Sequence, residues 1–271
     1  MSDTAIEHYW DTLVTPYELW AEPTSARLAS AALDLIAPST GSSVLDVAAG
    51  TGALALAAAE RGLHVRAIDS SSRMVDRLTE RLGSLAGCSA EVMDATKLLY
   101  DDDEFDAAFS VLGVMYFGPA TMTALTEMVR VVRPGGVIGV VHWARPVGGG
   151  PMFLPLARAV ERLDDPEVGT LEIPVTTAYL EGPEVEEALR GAGCTDVQSE
   201  TAVVDSPTPA PETFLAELDP FFGMFPQYRA AVARHPDRFR ALVAEEVRLV
   251  ERGENGHPVA HANIAYGRVS H

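Results

Sequence analysis

Val44-Leu45-Asp46-Val47-Ala48-Ala49-Gly50-Thr51-Gly52-Ala53-Leu54-Ala55 is the stretch that decides how this chain is read. Val44 to Val47 has the make-up of a buried parallel strand, apolar on both faces except for one acid. The strand runs into a glycine turn, Ala48 to Gly52, and the Ala/Leu-rich segment Ala53 to Glu60 predicts a helix behind it. Glycine permits the backbone conformations and the close approach that a ligand pressed against a turn requires. Twenty-three residues after Asp46, Ala67-Ile68-Asp69 ends a second strand in another acid. A carboxylate at that place can accept from both hydroxyls of a ribose. Strand, glycine turn, helix and second acid describe a nucleotide-type pocket.

Two cofactor classes use this geometry. A dinucleotide site asks for G-x-G-x-x-G, which Gly50-Thr51-Gly52-Ala53-Leu54-Ala55 meets with a permitted alanine in the last place. Asp46 has no part in that fingerprint. D-x-x-x-G-x-G, from Asp46 to Gly52, resembles motif I of the class I S-adenosylmethionine-dependent methyltransferases, whose members more often carry glycine where this chain has Ala48. The likeness continues along the chain. Glu91-Val92-Met93-Asp94-Ala95 ends a third short strand in an acid and a small residue. Phe105 to Ser110 reads as a fourth strand, the family's motif IV, and leads into Val111-Leu112-Gly113-Val114-Met115-Tyr116-Phe117. A helix over Ala120 to Val132, a turn at Arg133-Pro134-Gly135-Gly136 and a fifth strand from Val137 to Val141 follow, with His142-Trp143 after it. The Gly113 to Phe117 loop and Arg130 to Gly136 resemble the ubiquinone/menaquinone methyltransferase-like branch (methyltransferase type 11/25). The motifs stand in the family's order from Val44 to Trp143.

That resemblance implies an α/β fold: a doubly wound, mostly parallel, seven-stranded Rossmann-like sheet with an N-terminal helical lid and an inserted helical cap. It implies S-adenosyl-L-methionine as cofactor, with S-adenosyl-L-homocysteine as product. By the same resemblance Asp46 lies near the methionine part, with Ala48, Gly50 and Gly52 in the turn. Asp69 takes the ribose, with Ser70 and Met74 beside it; Asp94 meets the adenine amino group and Ala95 the ring. Ser110 and Leu112 close the list at the end of the fourth strand. The expected organisation is one compact domain: a lid over 1–40, a cofactor-binding core over 41–147, and remaining core strands over 148–271. The helical substrate cap is inserted at about 148–180 and 205–258.

Composition narrows the partners. The 271 residues carry 39 acidic and 20 basic side chains, a formal charge of -19. Such a surface repels a phosphate backbone or an anionic membrane, and the arginines look scattered, so neither nucleic acid nor membrane is an expected partner. The two cysteines, Cys88 and Cys194, form no framework and read as reduced thiols of a cytoplasmic protein. The start of the chain has no basic region followed by an apolar core, and no apolar run reaches membrane length. The run Asp101-Asp102-Asp103-Glu104 reads as a solvated loop, and no metal site is expected.

Three segments are expected to build a substrate chamber. Tyr9, Trp10, Tyr17 and Trp20 have spacings of seven and three that would put several on one helix face. Such a stripe can pack on the core, close over the cofactor, or do both. Pro151-Met152-Phe153-Leu154 is too apolar for a solvated helix. Phe221-Phe222-Gly223-Met224-Phe225 is either a helical cap's core or the apolar wall of a pocket. The expected pocket residues are Tyr9, Tyr17, Trp20, Met115, Tyr116, Trp143 and Phe222.

A methyl group on a sulfonium is already activated, so positioning supplies most of what the protein must add. A base is needed only if the acceptor must lose a proton. His142, at the end of the fifth strand, is the first candidate, and His8 and Tyr9 are weaker ones. The favoured expectation is a methyltransferase, monomeric or homodimeric, acting on an oxygen, nitrogen or carbon nucleophile of a small, fairly apolar molecule, perhaps in specialised metabolism. An enzyme of this fold that binds the same cofactor and catalyses a rearrangement or decarboxylation stands second. An NAD(P)-dependent oxidoreductase stands third, because Asp46 and the later motifs have no role in one.

Overall fold

A computed structural model describes residues 9–144, 150–171, 182–251 and 258–270. His8, His257 and His271 lie outside these. The sheet strands are β1 (Ser43–Val47), β2 (His64–Asp69), β3 (Cys88–Val92), β4 (Phe105–Val111), β5 (Val132–Trp143), β6 (Cys194–Asp205) and β7 (Val259–Val269). Their spatial order is β3-β2-β1-β4-β5-β7-β6, and β7 alone runs antiparallel to its neighbours. The expected seven-stranded, mostly parallel sheet is therefore present. The reversal between β1 and β4 opens a crevice at the carboxyl ends of β1, β2 and β4, where such sheets bind ligands.

Helices cover both faces. α1 (Glu22–Ile36), α2 (Ala53–Glu60) and α3 (Ser72–Leu82) lie on one face, where Leu28, Leu33, Leu54, Leu78 and Phe109 share a buried cluster. On the other face, α4 (Thr121–Val131) and α6 (Gly182–Ala192) enclose Leu45, Ile68, Leu125, Met128 and Leu189. A third apolar cluster belongs to four helices: α5 (Gly150–Leu163), α7 (Phe214–Phe222), α8 (Pro226–Arg234) and α9 (Pro236–Glu251). Leu156, Phe214, Phe222, Phe239 and Val243 fill it, and it also takes in Leu13 and Met74. Rings stack edge to face or tilted throughout, as with Phe153 on Phe222 and Phe222 on Tyr228.

Two local expectations differ from what is observed. β5 begins at Val132 rather than Val137: Val132 pairs with Phe105, and Val137 with Ala107. Arg133 to Gly136 is thus an excursion within the strand, turned at Gly135 (φ 77°) and pinned by Arg133 on Asp106 at 2.7 Å. The N-terminal aromatics, in turn, do not share one regular helix. A short helical turn, Val14–Pro16, passes into a π-helical turn, Tyr17–Ala21, before α1 begins. The rings of Trp10 and Tyr17 still meet edge to face, with centroids 6.4 Å apart.

Among the described residues no helix is long and apolar enough to cross a membrane, and no group of His, Cys, Asp and Glu side chains could hold a metal ion.

Candidate active site

The glycine turn is built by steric necessity. Gly52 opens α2 at φ 105°, and a Cβ there would lie 2.3 Å from Leu78 Cδ1, so a larger residue would strain the backbone and displace Leu78. Ala48 and Leu112, just beyond β1 and β4, both take left-handed backbone at φ 57° and 56° without being glycine. Such strain costs on the order of 1–3 kcal/mol per residue and gathers where a ligand is clamped. Gly113 completes the crossing: a Cβ on it would meet Ala48 Cβ at 2.6 Å and Ser110 Oγ at 2.7 Å.

Both strand-end acids hold the turn. Asp46 is buried and its Oδ2 accepts from the Ala55 amide at 3.0 Å. Burial pushes its carboxyl up to about 7, against the pull of the Ala55 amide and with help from the charge of Asp69. Asp69 Oδ2 accepts from the Gly50 amide at 2.8 Å, and Oδ1 from Ser71 N at 2.9 Å. Its carboxyl too is pushed up by burial, with those amides opposing. Ser71 caps α3 by accepting from Met74 N at 3.2 Å. Ser70 is exposed beside Asp69, and Met74 points into the third apolar cluster.

The other expected cofactor residues divide. Ser110 is fully buried; its hydroxyl donates to Val47 O at 3.0 Å and accepts from Val114 N at 3.1 Å, so it ties β4 to β1. Leu112 N donates to Val141 O at 2.8 Å. Asp94 is exposed just past β3, where Oδ1 accepts from Thr96 N at 2.8 Å and Thr96 Oγ1 at 2.7 Å, and Ala95 is buried beside it.

Aromatic side chains roof the crevice. Tyr17 lies over Gly50, its ring atoms 3.4 Å from where a Cβ would stand. Trp10 meets Tyr9, Tyr17 and Tyr116 edge to face at centroid distances of 5.5, 6.4 and 5.4 Å. The Tyr9 hydroxyl donates to Phe221 O at 3.0 Å, joining the N-terminal segment to α7. Burial raises the hydroxyls of Tyr9, Tyr17 and Tyr116, and neighbouring acids add to this at Tyr17. Trp143 lies next to Tyr116, and Met115 is buried beside it. Trp20 packs on the third cluster, as Tyr9, Trp10 and Tyr17 also do, and Phe222 is fully buried within that cluster.

His142 lies off this ring of side chains. Along β5, Val141 and Trp143 belong with the α1–α3 face, whereas Ile138 and Val140 belong with the α4/α6 face, which His142 shares by alternation. Its Nδ1 is 3.2 Å from Trp143 O, and its Nε2 is buried without a hydrogen-bond partner. Burial brings the imidazole down to about 4, against the backbone contact and the charge of Glu184, so it is neutral near pH 7.

Several contributors carry little mark in the sequence. Trp10, noted only as part of a stripe, is the ring that touches three others. Asp11 accepts from the Ser71 hydroxyl at 2.6 Å. Glu22 is buried and accepts from Thr51 Oγ1 and, at 2.6 Å, from Arg81, while Arg81 also donates to Thr51 O at 2.9 Å. The arginines are not all scattered: Arg77 and Arg81, four apart on α3, share a face turned to the N-terminal acids. A serine three residues before a helical apolar repeat, and basic residues at helical spacing, were the available signals.

Comparison with known proteins agrees with the architecture. Residues 44–136 match the methyltransferase domain family. A demethylmenaquinone methyltransferase of Beutenbergia cavernae is 38% identical over 116 residues, covering 43% of this chain and 47% of that protein. The chain spans about half the length of the curated relatives it matches. Haemonchus contortus phosphoethanolamine N-methyltransferase 2, solved with S-adenosyl-L-methionine, superposes with a TM-score of 0.58 at 19% identity over 96% of this chain and 57% of that one. The [4+2]-cyclase SpnF superposes with a TM-score of 0.53 at 21% identity over 91% and 81%. At these identities the two structures bear on the fold alone.

Proposed function

We propose that this chain, which carries a class I methyltransferase domain, binds S-adenosyl-L-methionine at the carboxyl ends of β1, β2 and β4. It then transfers the methyl group to an oxygen, nitrogen or carbon nucleophile of a small, fairly apolar acceptor. One observation carries the reading: the half-buried Asp69 accepts from the Gly50 amide of the glycine turn, the buried Asp46 accepts from the Ala55 amide of the helix just behind it, and the Tyr17 ring covers Gly50. The donor set fits the group. Asp69 retains lone pairs for a ribose diol, the negative crevice suits a cation, and the small residues Ala48 and Gly113 keep side chains out of the turn.

When bound, the sulfonium supplies an electrophilic methyl group. The chain supplies placement. Asp46 and the turn fix the amino-acid end and Asp69 the ribose, while Asp94 and Ala95 are assigned to the adenine. Tyr9, Tyr17, Tyr116 and Trp143 form the chamber in which the acceptor lines up behind the methyl group and water is excluded. No proton transfer is assigned to His142 in this reading, because burial makes its imidazole a weak base, its Nε2 is buried without a partner, and alternation along β5 points it away from the face of Asp46. The segment before β1 serves as the lid and the four-helix cluster as the cap that sets substrate choice. The free cysteines fit a reducing compartment.

A second reading keeps the cofactor and changes the reaction, since a cradle of this kind reports binding rather than turnover. The likeness of fold to a cyclase keeps that reading in view. Calorimetric titration with S-adenosylmethionine, S-adenosylhomocysteine and the nicotinamide dinucleotides tests the cofactor. Tight binding of the first two alone is expected, and binding of a dinucleotide alone would overturn the assignment. Labelled methyl transfer to a panel of small phenols, amines and quinols then separates the two readings.

A further inference from the structure

Three acids of the N-terminal segment, Asp11, Glu18 and Glu22, all land on α3. Asp11 accepts from Ser71 at its start, Glu18 accepts from Arg77 at 2.7 Å in its middle, and Glu22 accepts from Arg81 at 2.6 Å in its last turn. Arg81 also lies 3.4 Å from Glu18. The last contact reaches the cofactor turn itself, because Thr51 gives its hydroxyl to Glu22 and its carbonyl to Arg81. Thr51 is fully buried and stands between the two glycines of the turn. The segment is therefore fastened by charge, and the fastening passes through the residue that shapes the cradle.

We infer that Glu18, Glu22, Arg77 and Arg81 form an ionic latch that positions the glycine turn and holds the aromatic roof down, so that release of the cofactor requires the latch to open. The inference rests on the cofactor reading above. Tyr17 directly precedes Glu18 in the π-helical turn that runs into α1, and its ring covers Gly50, so the roof lifts only when the segment carrying these acids moves. Partly exposed ion pairs respond to salt, whereas apolar packing of the same segment through Leu13 responds in the opposite sense or weakly. Arg81 and Glu22 act through Thr51 and the lid, as positioning residues.

The test uses the full chain, with S-adenosylhomocysteine as the probe, and two measurements on each variant. One is the dissociation rate of the probe by stopped flow at low and high salt. The other is hydrogen exchange of the 9–36 segment without any cofactor. In Arg81→Met, and more mildly in Glu22→Gln, exchange of that segment is expected to quicken and release to speed up by roughly three- to tenfold. Wild-type release should quicken severalfold between about 0.05 and 0.5 M salt, where the screening length shrinks from roughly 14 to 4 Å, and Arg81→Met should lose most of that dependence. Arg190→Met, which breaks an exposed pair with Glu186 within α6, serves as the control and should change neither measurement. Wild-type exchange in both latch variants overturns the latch. Faster exchange with unchanged release overturns its control of the cofactor. If the wild-type chain does not bind the probe, the cofactor reading fails, and exchange alone decides the latch.

Discussion

Asp46 and His142 project to opposite faces of the sheet. Asp46 pairs in register with Phe109, and Phe109 with Gly139, so these three side-chain positions share a face. His142 is three residues beyond Gly139 and, by the two-residue period of a strand, points the other way. Trp143 returns to the face of Asp46. The side chains of Asp46 and His142 thus leave the sheet in opposite directions.

His142→Ala should therefore leave affinity for S-adenosylhomocysteine unchanged and reduce kcat by less than about tenfold, below the usual worth of a general base. Steady-state kinetics on an acceptor found in the panel checks this, and a loss of about a hundredfold or more would restore the base. The pH effect falls on stability. The folded value, about 4, is below that of an unfolded histidine, so the associated stability is complete above about pH 6.5 and is lost as pH falls toward 4. His142→Leu should flatten thermal melts across that window.

Asp69→Ala removes both the acceptor for the Gly50 amide and the proposed ribose ligand. Affinity for S-adenosylhomocysteine should drop by about ten- to a hundredfold, in line with roughly 1.5–3 kcal/mol for a hydrogen bond to a charged group. Calorimetry on a variant whose circular dichroism matches the wild type is the measurement. Unchanged affinity would remove Asp69 from the site.

Asp46 gives a second pH signature, of opposite sign. Its folded value, about 7, lies above the unfolded carboxylate, so burial favours the protonated acid. Stability should be greatest below about pH 4 as far as this group is concerned, and be lost as pH rises through 7, with a limiting slope of about 1.4 kcal/mol per pH unit. Asp46→Asn should abolish that slope in denaturant titrations. A cationic ligand favours the ionised acid, so binding below pH 7 should release a proton. Calorimetry in two buffers of different ionisation enthalpy counts it.

Gly52→Ala places a methyl group against Leu78 in a left-handed backbone conformation. A loss of about 2–4 kcal/mol in unfolding free energy is expected from strain and overpacking together, read by urea denaturation. Leu78→Ala in the same chain should recover part of the overpacking and none of the backbone strain.

Much of the fold was written locally. The apolar run with one acid at Val44 to Val47, the glycine turn, the acid ending Ala67-Ile68-Asp69 and the helix-strand alternation all depend on neighbours within a few residues, and each element stands close to where its pattern put it. The Asp69–Gly50 contact could be anticipated as a shared pocket, since both ends were marked by their own motifs. Phe222 was less legible: an aromatic cluster reads the same whether it faces a ligand or another helix, and only the packing of α5, α7, α8 and α9 makes it core.

By itself, then, the sequence determined the elements, their order and the acids at the strand ends, because periodicity and turn chemistry act over short distances. The tertiary structure decided which of those residues meet. Alternation along β5 says only that His142 and Trp143 differ in direction; the register from β1 through β4 to β5 says which of them faces Asp46. Likewise nothing local links Glu22 to Thr51 and Arg81, which are brought together because α1 and α3 pack on one face of the sheet around the turn. Such contacts depend on register and helix placement, which the whole core sets at once.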